Sequence, residues 1–177
     1  MLHKMPGDKR KEISPIMPFL LTVFLVYFLD RASKHLAVEF LTAAGSFPLI
    51  ENFFHLTLVA NTGGAFGIFR SIPWFFTLIA ILAVIIICVV LVVRYKKLVL
   101  SEKYALVFIL AGIMGNLTDR LLFGHVIDFI DFRVWPVFNI ADCFITLGTV
   151  ILIIRMISAS HNCKGEISCP HQDEHGG

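Results

Sequence analysis

Charged residues are scarce in this sequence of 177 residues: Asp, Glu, Lys and Arg make up 16% of it, whereas hydrophobic residues make up 57%. The mean hydropathy of +0.82 lies far above that of ordinary soluble domains of this size. The composition therefore excludes a soluble domain and predicts an integral membrane protein. The net charge of +2 says little about partners, because the difference in charge between the two sides of the membrane matters more than the sum.

Cysteine is scarce as well, and the positions of the four cysteines predict no disulfide framework. Cys88 lies in an apolar segment, Cys143 lies at the start of another, and Cys163 and Cys169 lie in a polar tail that we expect in the cytoplasm, where thiols stay reduced. This distribution argues against a membrane thiol oxidase. The histidines of the tail do not complete a standard zinc pattern with its cysteines, and the sequence contains no internal repeat.

Four apolar segments are long enough to cross a bilayer, at residues 13–29, 72–93, 104–122 and 140–157. The expected fold is therefore a membrane all-α protein with four transmembrane helices and a small β element. The third segment is the weakest, because it ends in Asp119 and Arg120. A cleaved signal peptide is the alternative for the first segment, but that segment ends in Asp30 and Arg31 with no small-residue cleavage site, which favours a retained helix.

Lysine and arginine are distributed unevenly around these four segments. The side that carries both termini and the connection between the second and third segments holds ten of the 15 basic residues, and the other side holds five. The positive-inside rule therefore predicts that both termini are cytoplasmic. In this organisation residues 1–12 are a basic cytoplasmic N-terminus, residues 13–157 are a single membrane domain, and residues 158–177 are a polar tail that we expect to be disordered.

The connection at residues 30–71 is predicted on the outer face and has structural signals of its own. Residues 31–41 have the pattern of an amphipathic helix that lies along the interface. After a break at residues 45–48, the run at 53–59 is rich in aromatic and β-branched residues and predicts a strand, which ends in the turn residues 61–64. We therefore expect a small extended or β platform on the outer face.

A second concentration of polar residues occurs between residues 115 and 142, where four aspartates, two arginines and two asparagines stand at the ends of apolar segments. Ionisable groups beside a bilayer indicate a functional site by default. We interpret Asp128 and Asp142 as a catalytic pair, because two carboxyls that share a proton can leave one ionised to activate water while the other donates a proton. Asp142 opens the fourth span, where the helix dipole favours a carboxylate, and Asp128 stands among apolar neighbours.

Considered one at a time, these carboxyls also have structural interpretations, and the residues alone do not choose between the two. The structural alternatives are a helix cap for Asp142, a cap or interfacial charge for Asp30, a charge partner of Arg120 or Arg133 for Asp119, and a solvated surface position for Asp131.

Five short motifs, in order, resemble those of the bacterial type II signal peptidases, also called lipoprotein or prolipoprotein signal peptidases. The motifs are LDRASK at residues 29–34, NTGGAFG at 61–67, GNLTDR at 115–120, VIDF at 126–129 and FNIAD at 138–142. The resemblance extends from about residue 19 to residue 155. It implies an aspartic endopeptidase that removes the signal peptide of prolipoproteins just before a cysteine that carries a diacylglyceryl group. The segment at 132–138 is short for this family, so we expect a tight loop beside the pair.

The resemblance implies Asp128 and Asp142 as the catalytic residues, with no metal and no cofactor. The surrounding family positions are Asp30, Asn61, Gly63, Ala65, Asn116, Arg120, Asn139 and Ala141. The asparagines can orient the carboxylates or hydrogen-bond the substrate backbone, and Arg120 offers a rigid fork of donors. Gly63 and Ala65 leave room for close backbone approach, and the apolar side chains at 66–69 can shelter the lipidated end of the substrate.

The implied partners are lipidated prolipoproteins and membrane lipids, without nucleic acid. The implied form is a monomer in the bacterial inner membrane with its site toward the outer face. Other function classes remain as hypotheses. A thiol protease would use Cys143 with His55 or His125; an ion-coupled transporter would need polar groups at mid-span, where the second and fourth segments are apolar. A non-catalytic assembly factor would work without the carboxylates.

Overall fold

The structure, a computed structural model, describes residues 16–62 and 73–166. Its elements in chain order are α1 (Met17–Leu41), β1 (Ser46–Ile50), β2 (Phe54–Asn61), α2 (Pro73–Val93), α3 (Leu100–Phe123), β3 (Val126–Asp131) and α4 (Ile140–Glu166). Several sequence predictions lie outside the described residues: the basic N-terminus at 1–12, Gly63 and Ala65, the apolar residues at 66–69, and the tail beyond 166.

Within the described part of the chain, three helices are long and apolar enough to cross a membrane, over Trp74–Val93, Leu100–Phe123 and Ile140–Ala159. Many of their large apolar side chains are exposed, including Ile86 and Val92, as expected for surfaces that face lipid. Every 18-residue stretch of α1 contains Asp30, Arg31 and Lys34, so its composition is less decisive. The crossing by α1 and the cytoplasmic position of both termini stay predictions.

Helix α1 is longer than the sequence predicted, because residues 31–41 are helical as expected but do not form a separate helix. Their position along the interface stays a prediction. These residues continue α1 without interruption to Leu41. The physical reason is a single buried stripe that runs through the predicted break at helical spacing. Its members are Val26, Asp30, Lys34, Ala37 and Leu41.

Helix α4 also continues further than expected. The apolar run ends near residue 157 and the sequence predicts a disordered tail at residues 158–177, but α4 ends at Glu166. No proline occurs between residues 158 and 166, and Ser158 donates its hydroxyl to the Ile154 carbonyl at 2.9 Å within the helix. The end of an apolar run therefore did not coincide with the end of the helix.

A small antiparallel sheet with the order β1-β2-β3 packs beside the helix ends. Strand β2 confirms the strand predicted at residues 53–59, whereas β3 was not predicted. In the register of β2 with β3, Val59 pairs with Asp128 and Asn61 pairs with Val126. The sheet therefore carries Asn61 and Asp128 on neighbouring strands.

Helix α3 packs against α1, α2 and α4. Its contact with α4 is close because of Gly112, where a Cβ would lie 2.5 Å from the Ala141 carbonyl oxygen. Small residues allow such close approach of membrane helices. This packing brings the C-terminal half of α3 against the first turn of α4, where the polar residues of both helices meet.

Candidate active site

Asp128 occupies the middle of β3, with 1% of its surface exposed. Both carboxyl oxygens accept hydrogen bonds from side-chain amides: Asn61 Nδ2 donates to Oδ2 at 2.8 Å, and Asn139 Nδ2 donates to Oδ1 at 2.6 Å. Among the described residues, Asp128 therefore has neutral hydrogen-bond donors and no direct ion pair. The charges of Lys34 and Arg120 act on it without forming a salt bridge with it.

Asp142 lies in the first turn of α4 and takes part in a reciprocal cap with Asn139. The Asp142 backbone N–H donates to Asn139 Oδ1 at 3.0 Å, and the Asn139 backbone N–H donates to Asp142 Oδ2 at 3.3 Å. This arrangement explains why the helix begins at Ile140. The other oxygen, Oδ1, accepts a hydrogen bond from Asn116 Nδ2 at 2.8 Å. The interpretation of Asp142 as a helix cap is therefore correct for its Oδ2 atom. Its Oδ1 atom belongs to a wider network of side chains that begins at Asn116.

Two buried asparagines connect the two carboxyls. Besides its bond to Asp128, Asn139 Nδ2 donates to Asn116 Oδ1 at 3.0 Å. Asn116 Nδ2 in turn donates to Asp142, so the network runs from Asp128 on β3 through Asn139, which precedes α4, and Asn116 on α3 to Asp142 on α4. Asn139 is 0% exposed and Asn116 is 5% exposed. The four residues form one connected polar unit.

The electrostatic environment keeps a proton on Asp128 up to neutrality. Burial is the largest cause that raises its pKa, to about 7, and the charge of Asp142 adds to this effect. The hydrogen bonds from Asn61 and Asn139 and the charge of Lys34 oppose the shift without cancelling it. A carboxyl with this pKa can act as an acid near neutral pH.

A second buried polar cluster lies next to the pair and was not recognised from the sequence. The Lys34 side chain is 0% exposed, and its Nζ lies 2.8 Å from Asp30 Oδ2 and 2.8 Å from Asp119 Oδ2. Lys34 also donates to Asn116 Oδ1 at 2.9 Å. Asp119 forms a further ion pair with Arg31. The sequence signal that could have revealed this cluster is the i,i+4 spacing of Asp30 and Lys34, which places both side chains on one face of a helix.

Two structural interpretations from the sequence are therefore wrong. The ion pairs of Asp119 are with Arg31 and Lys34 rather than with Arg120 or Arg133. Asp30 is neither a cap of its own helix nor an interfacial charge, because it is fully buried and its Oδ1 accepts the Ala141 backbone N–H at 3.0 Å.

Asp131 differs from the expectation of a solvated surface residue, since it is 6% exposed. It accepts hydrogen bonds from Thr57 Oγ1 and from the Arg133 backbone N–H, each at 2.8 Å. Burial acts to raise the pKa of Asp131, but these bonds and the Arg133 charge outweigh it, so the pKa is lowered. Asp131 therefore stays ionised where Asp128 is protonated.

The short segment at residues 132–138 is held against the sheet. The Phe132 ring stacks on Phe54 at 4.9 Å between ring centroids and on Phe138 at 5.9 Å. Ile130 and Phe138 exchange backbone hydrogen bonds of 2.8 and 3.0 Å. These contacts fix the connection between Asp128 on β3 and Asp142 on α4.

Arg120 interacts electrostatically with Asp142 and Asp128, and its guanidinium lies 5.9 Å from the centroid of the Phe76 ring. The structure thus brings Asp30, Asn61, Asn116, Arg120, Asn139 and Ala141 together around the two carboxyls. Gly63 and Ala65 follow β2 outside the described part. Lys34 and Arg31 are the additional charged residues that the sequence analysis did not include.

Other chemistries find less support at this site. Cys143 Sγ donates to the Asn139 carbonyl at 3.4 Å, whereas the His55 ring pairs with Arg133 at 2.8 Å on the sheet. Within residues 16–62 and 73–166, no three His, Cys, Asp or Glu side chains are grouped so that they could hold a metal ion.

A family model and individual relatives both match this chain over most of its length. A family model described as Signal peptidase (SPase) II matches residues 22–158. The chain is 43% identical over 143 residues to the lipoprotein signal peptidase of Caldanaerobacter subterraneus subsp. tengcongensis, which covers 78% of this chain and 94% of that protein. It is 40% identical over 144 residues to that of Moorella thermoacetica, with 80% and 93% covered.

Solved structures agree with the sequence relatives. One bacterial membrane enzyme superposes with a TM-score of 0.73 at 30% identity, over 84% of this chain and 92% of that one. A second bacterial membrane enzyme gives a TM-score of 0.70 at 31% identity, over 80% and 94% of the two chains.

Proposed function

This chain belongs to the signal peptidase II family and is a membrane peptidase, and we propose that it is an aspartic endopeptidase in which Asp128 and Asp142 activate the attacking water. Its proposed substrates are prolipoproteins, cut just before a cysteine that carries a diacylglyceryl group. The relatives are named lipoprotein signal peptidases, which supports the signal peptides of lipoprotein precursors as the substrate class.

The observation that carries the proposal is the connection of the two carboxyls through Asn139 and Asn116, in a buried environment where the pKa of Asp128 is raised to about 7. Near neutral pH the pair can hold one proton between its two carboxyls. An aspartic peptidase needs this state, because one carboxyl must act as a base while the other acts as an acid.

In the proposed reaction the ionised carboxyl takes a proton from water as the water oxygen bonds to the scissile carbonyl carbon. The protonated carboxyl donates its proton to the carbonyl oxygen, so the tetrahedral intermediate carries no net oxyanion. The C–N bond then breaks as the leaving nitrogen receives a proton from the first carboxyl, and the carbonyl reforms as the second carboxyl takes back a proton from a hydroxyl of the intermediate. Asn61, Asn116 and Asn139 hold the carboxyls in orientation throughout.

Arg120 has a supporting role in this scheme. Its charge interacts with both catalytic carboxyls, so it stabilises the step in which the pair carries the most negative charge. The Phe76 ring beside its guanidinium lies on α2, and this contact connects the site to the most apolar helix. Lys34 acts at a greater distance, through its hydrogen bond to Asn116.

The position of the site suits a substrate that arrives from the bilayer. Asn116 and Arg120 lie in the last third of α3, and Asp142 lies in the first turn of α4, so the polar residues gather at one end of the spans. The larger number of basic residues at the opposite end supports an orientation with the site at the outer face of the bacterial inner membrane.

The test is cleavage of a diacylglyceryl-modified prolipoprotein by the purified full-length enzyme in lipid, comparing wild type with Asp128→Asn and Asp142→Asn. Asp131→Asn is the matched control, because Asp131 is a buried carboxylate three residues further along β3. The proposal predicts cleavage by wild type and by the control, and none by the two pair variants. Cleavage by both pair variants would move the chemistry elsewhere. No cleavage by any folded form would favour a transporter or an assembly factor.

A further inference from the structure

A large groove lies at the end of the helices opposite the carboxyl pair. It has a volume of about 670 Å³ and is bordered by α1, by the end of α2 and by the start of α3. Along α3, Lys103 at the groove and Asn116 at the site are separated by thirteen positions, which corresponds to about 20 Å at the helical rise. The groove is therefore separate from the proposed active site.

The walls of this groove are apolar. Phe19, Leu20 and Val23 contribute from α1, and Val107 and Leu110 contribute from α3. On α1 the lining runs from Ile16 to Val23, a helical length of about 10 Å. The volume and the apolar lining match those of pockets that enclose one small hydrophobic molecule or part of a lipid chain.

The mouth of the groove is basic. Lys96 and Lys97 follow the end of α2 and are exposed, and Lys103 Nζ lies 4.1 Å from the centroid of the Tyr95 ring. Phe19 contacts the same ring edge-on at 6.2 Å, so aromatic contacts join the mouth to the apolar wall. Among the described lining residues there is no Asp or Glu. The nearby carboxylate of Glu102 accepts the Val99 backbone N–H at 3.1 Å.

Three lining residues of α3 show how the basic mouth and the apolar walls of the groove are combined on one helix. Lys103, Val107 and Leu110 have the spacing i, i+4 and i+7, so one face of the helix carries a cation at its end and apolar side chains deeper in the membrane. A phospholipid has the same order of chemistry, with a phosphate at the membrane surface and acyl chains below it.

We propose that this groove is a binding site for an anionic phospholipid, with an acyl chain along the α1 and α3 walls and the phosphate at Lys96, Lys97 and Lys103. Basic pockets between transmembrane helices are suited to anionic headgroups, and each lysine near the surface adds to the attraction. The charge of the mouth selects the headgroup, and the apolar walls hold the chain.

The same charge disfavours the two peptide segments that could compete for the groove. The residues before Ile16 include Lys4, Lys9, Arg10 and Lys11 against Asp8 and Glu12, so this segment is net positive. A signal peptide also begins with a basic region before its apolar core. Both would place cations against the three lysines at the mouth, whereas an anionic lipid would neutralise them.

The test is direct lipid binding to the full-length protein, by native mass spectrometry from detergent. The probes are dioleoyl phosphatidylglycerol, dioleoyl phosphatidylcholine and dioleoylglycerol, which share their acyl chains and differ in the headgroup. The binding variants are Lys96→Gln/Lys97→Gln/Lys103→Gln at the mouth and Leu20→Trp at the wall, where Leu20 is 60% exposed and is not part of the buried core. Arg133→Gln is the control, because it removes a basic charge on the sheet.

The proposal predicts preferential binding of phosphatidylglycerol, a loss of roughly tenfold or more in its affinity for the triple lysine variant, and weaker binding of all three lipids to Leu20→Trp. Arg133→Gln should bind as wild type does. Equal affinity for the three lipids would overturn the proposal, as would unchanged phosphatidylglycerol binding by the triple variant.

Discussion

Two buried polar clusters lie side by side in this protein, and they differ in the groups that contact their carboxylates: cations in one cluster and neutral donors in the other. Around Lys34, the charges of Asp30 and Asp119 are balanced by Lys34 and Arg31 through ion pairs. Around Asp128 and Asp142, the hydrogen bonds come from neutral amides of Asn61, Asn116 and Asn139, together with backbone N–H groups.

This difference separates a cluster that we interpret as structural from the cluster that we propose to be reactive. In the first cluster each carboxyl has a cation beside it, and these ion pairs join α1 to α3 inside the protein. Amide donors orient a carboxyl but leave its charge to be settled by burial, which favours the protonated form. The raised pKa of Asp128 results from this second arrangement, because burial outweighs the opposing effect of its hydrogen bonds.

The largest expected effect is on the structural cluster. Lys34→Met should lower the free energy of unfolding by about 3–5 kcal/mol, because it leaves Asp30 and Asp119 buried without their shared partner. Thermal unfolding of the purified protein in detergent measures this effect. The double variant Lys34→Met/Asp119→Asn should recover part of the loss, since it removes one of the unpaired charges. A Lys34→Met protein as stable as wild type would show that the ion pairs of Lys34 do not stabilise the fold, and the first cluster could then not be called structural.

The next effect concerns the pH dependence of stability. Because the pKa of Asp128 is raised from 3.8 to about 7 in the folded protein, the folded state binds more protons than the unfolded state between these values. The contribution of Asp128 to stability should therefore fall as pH rises from about 4 to 7, by roughly 2–4 kcal/mol in total, and change little above that range. Cleavage should likewise decline as pH rises beyond about 7, when the pair loses its proton.

Asp128→Asn isolates this contribution, because asparagine does not titrate. The difference in unfolding free energy between the variant and wild type should shift in favour of the variant as pH rises from 4 to 7, whatever its constant offset. A pH-independent difference would show that Asp128 titrates with an ordinary pKa and that burial does not favour its protonated form.

A smaller effect on stability is expected at Gly115, where the backbone of α3 packs against Asp30. A Cβ at Gly115 would overlap Asp30 Oδ2, so Gly115→Ala should displace Asp30 and cost about 1–3 kcal/mol of unfolding free energy. Gly124→Ala serves as a comparison, since a Cβ there meets nothing within 4 Å and only its positive φ of 75° opposes the change. Equal thermal stability of Gly115→Ala and wild type would mean that Asp30 has freedom to move.

The smallest effect is expected at the edge of the sheet. Arg133 is 47% exposed and its Nη1 lies 3.7 Å from Asp131 Oδ2, so Arg133→Gln should change the unfolding free energy by less than about 1 kcal/mol. Cleavage activity should also stay within about twofold of wild type, since the contacts of Arg133 are with Asp131 and His55 rather than with Asp128 or Asp142. A large loss of activity would extend the reactive cluster to this edge.

The sequence predicted the helices that periodic or continuous apolar residues define. The second, third and fourth segments correspond to α2, α3 and the first part of α4, and β2 follows from its β-branched and aromatic residues. The motifs also pointed to Asp128 and Asp142, whose connection through asparagines is a feature of the fold and not of spacing. Their catalytic roles stay a prediction.

The errors have a common physical cause. Arg31 and Lys34 looked like a polar segment at the membrane surface, whereas α1 continues through them because their charges are paired inside the protein. A sequence shows that a residue is charged, but it does not show which partner lies beside it. Strand β3 was missed for a similar reason, since its pairing partner β2 is distant in sequence.

The most direct test of the distinction is a paired measurement on Asp142→Asn and Lys34→Met, in which thermal unfolding and cleavage of a lipidated prolipoprotein are determined on the same preparations. We expect Asp142→Asn to keep most of its stability and to lose cleavage by roughly 10²–10⁴-fold. Lys34→Met should lose stability, while its folded fraction still cleaves within about tenfold of wild type. A folded Asp142→Asn protein that cleaves at the wild-type rate would contradict the account.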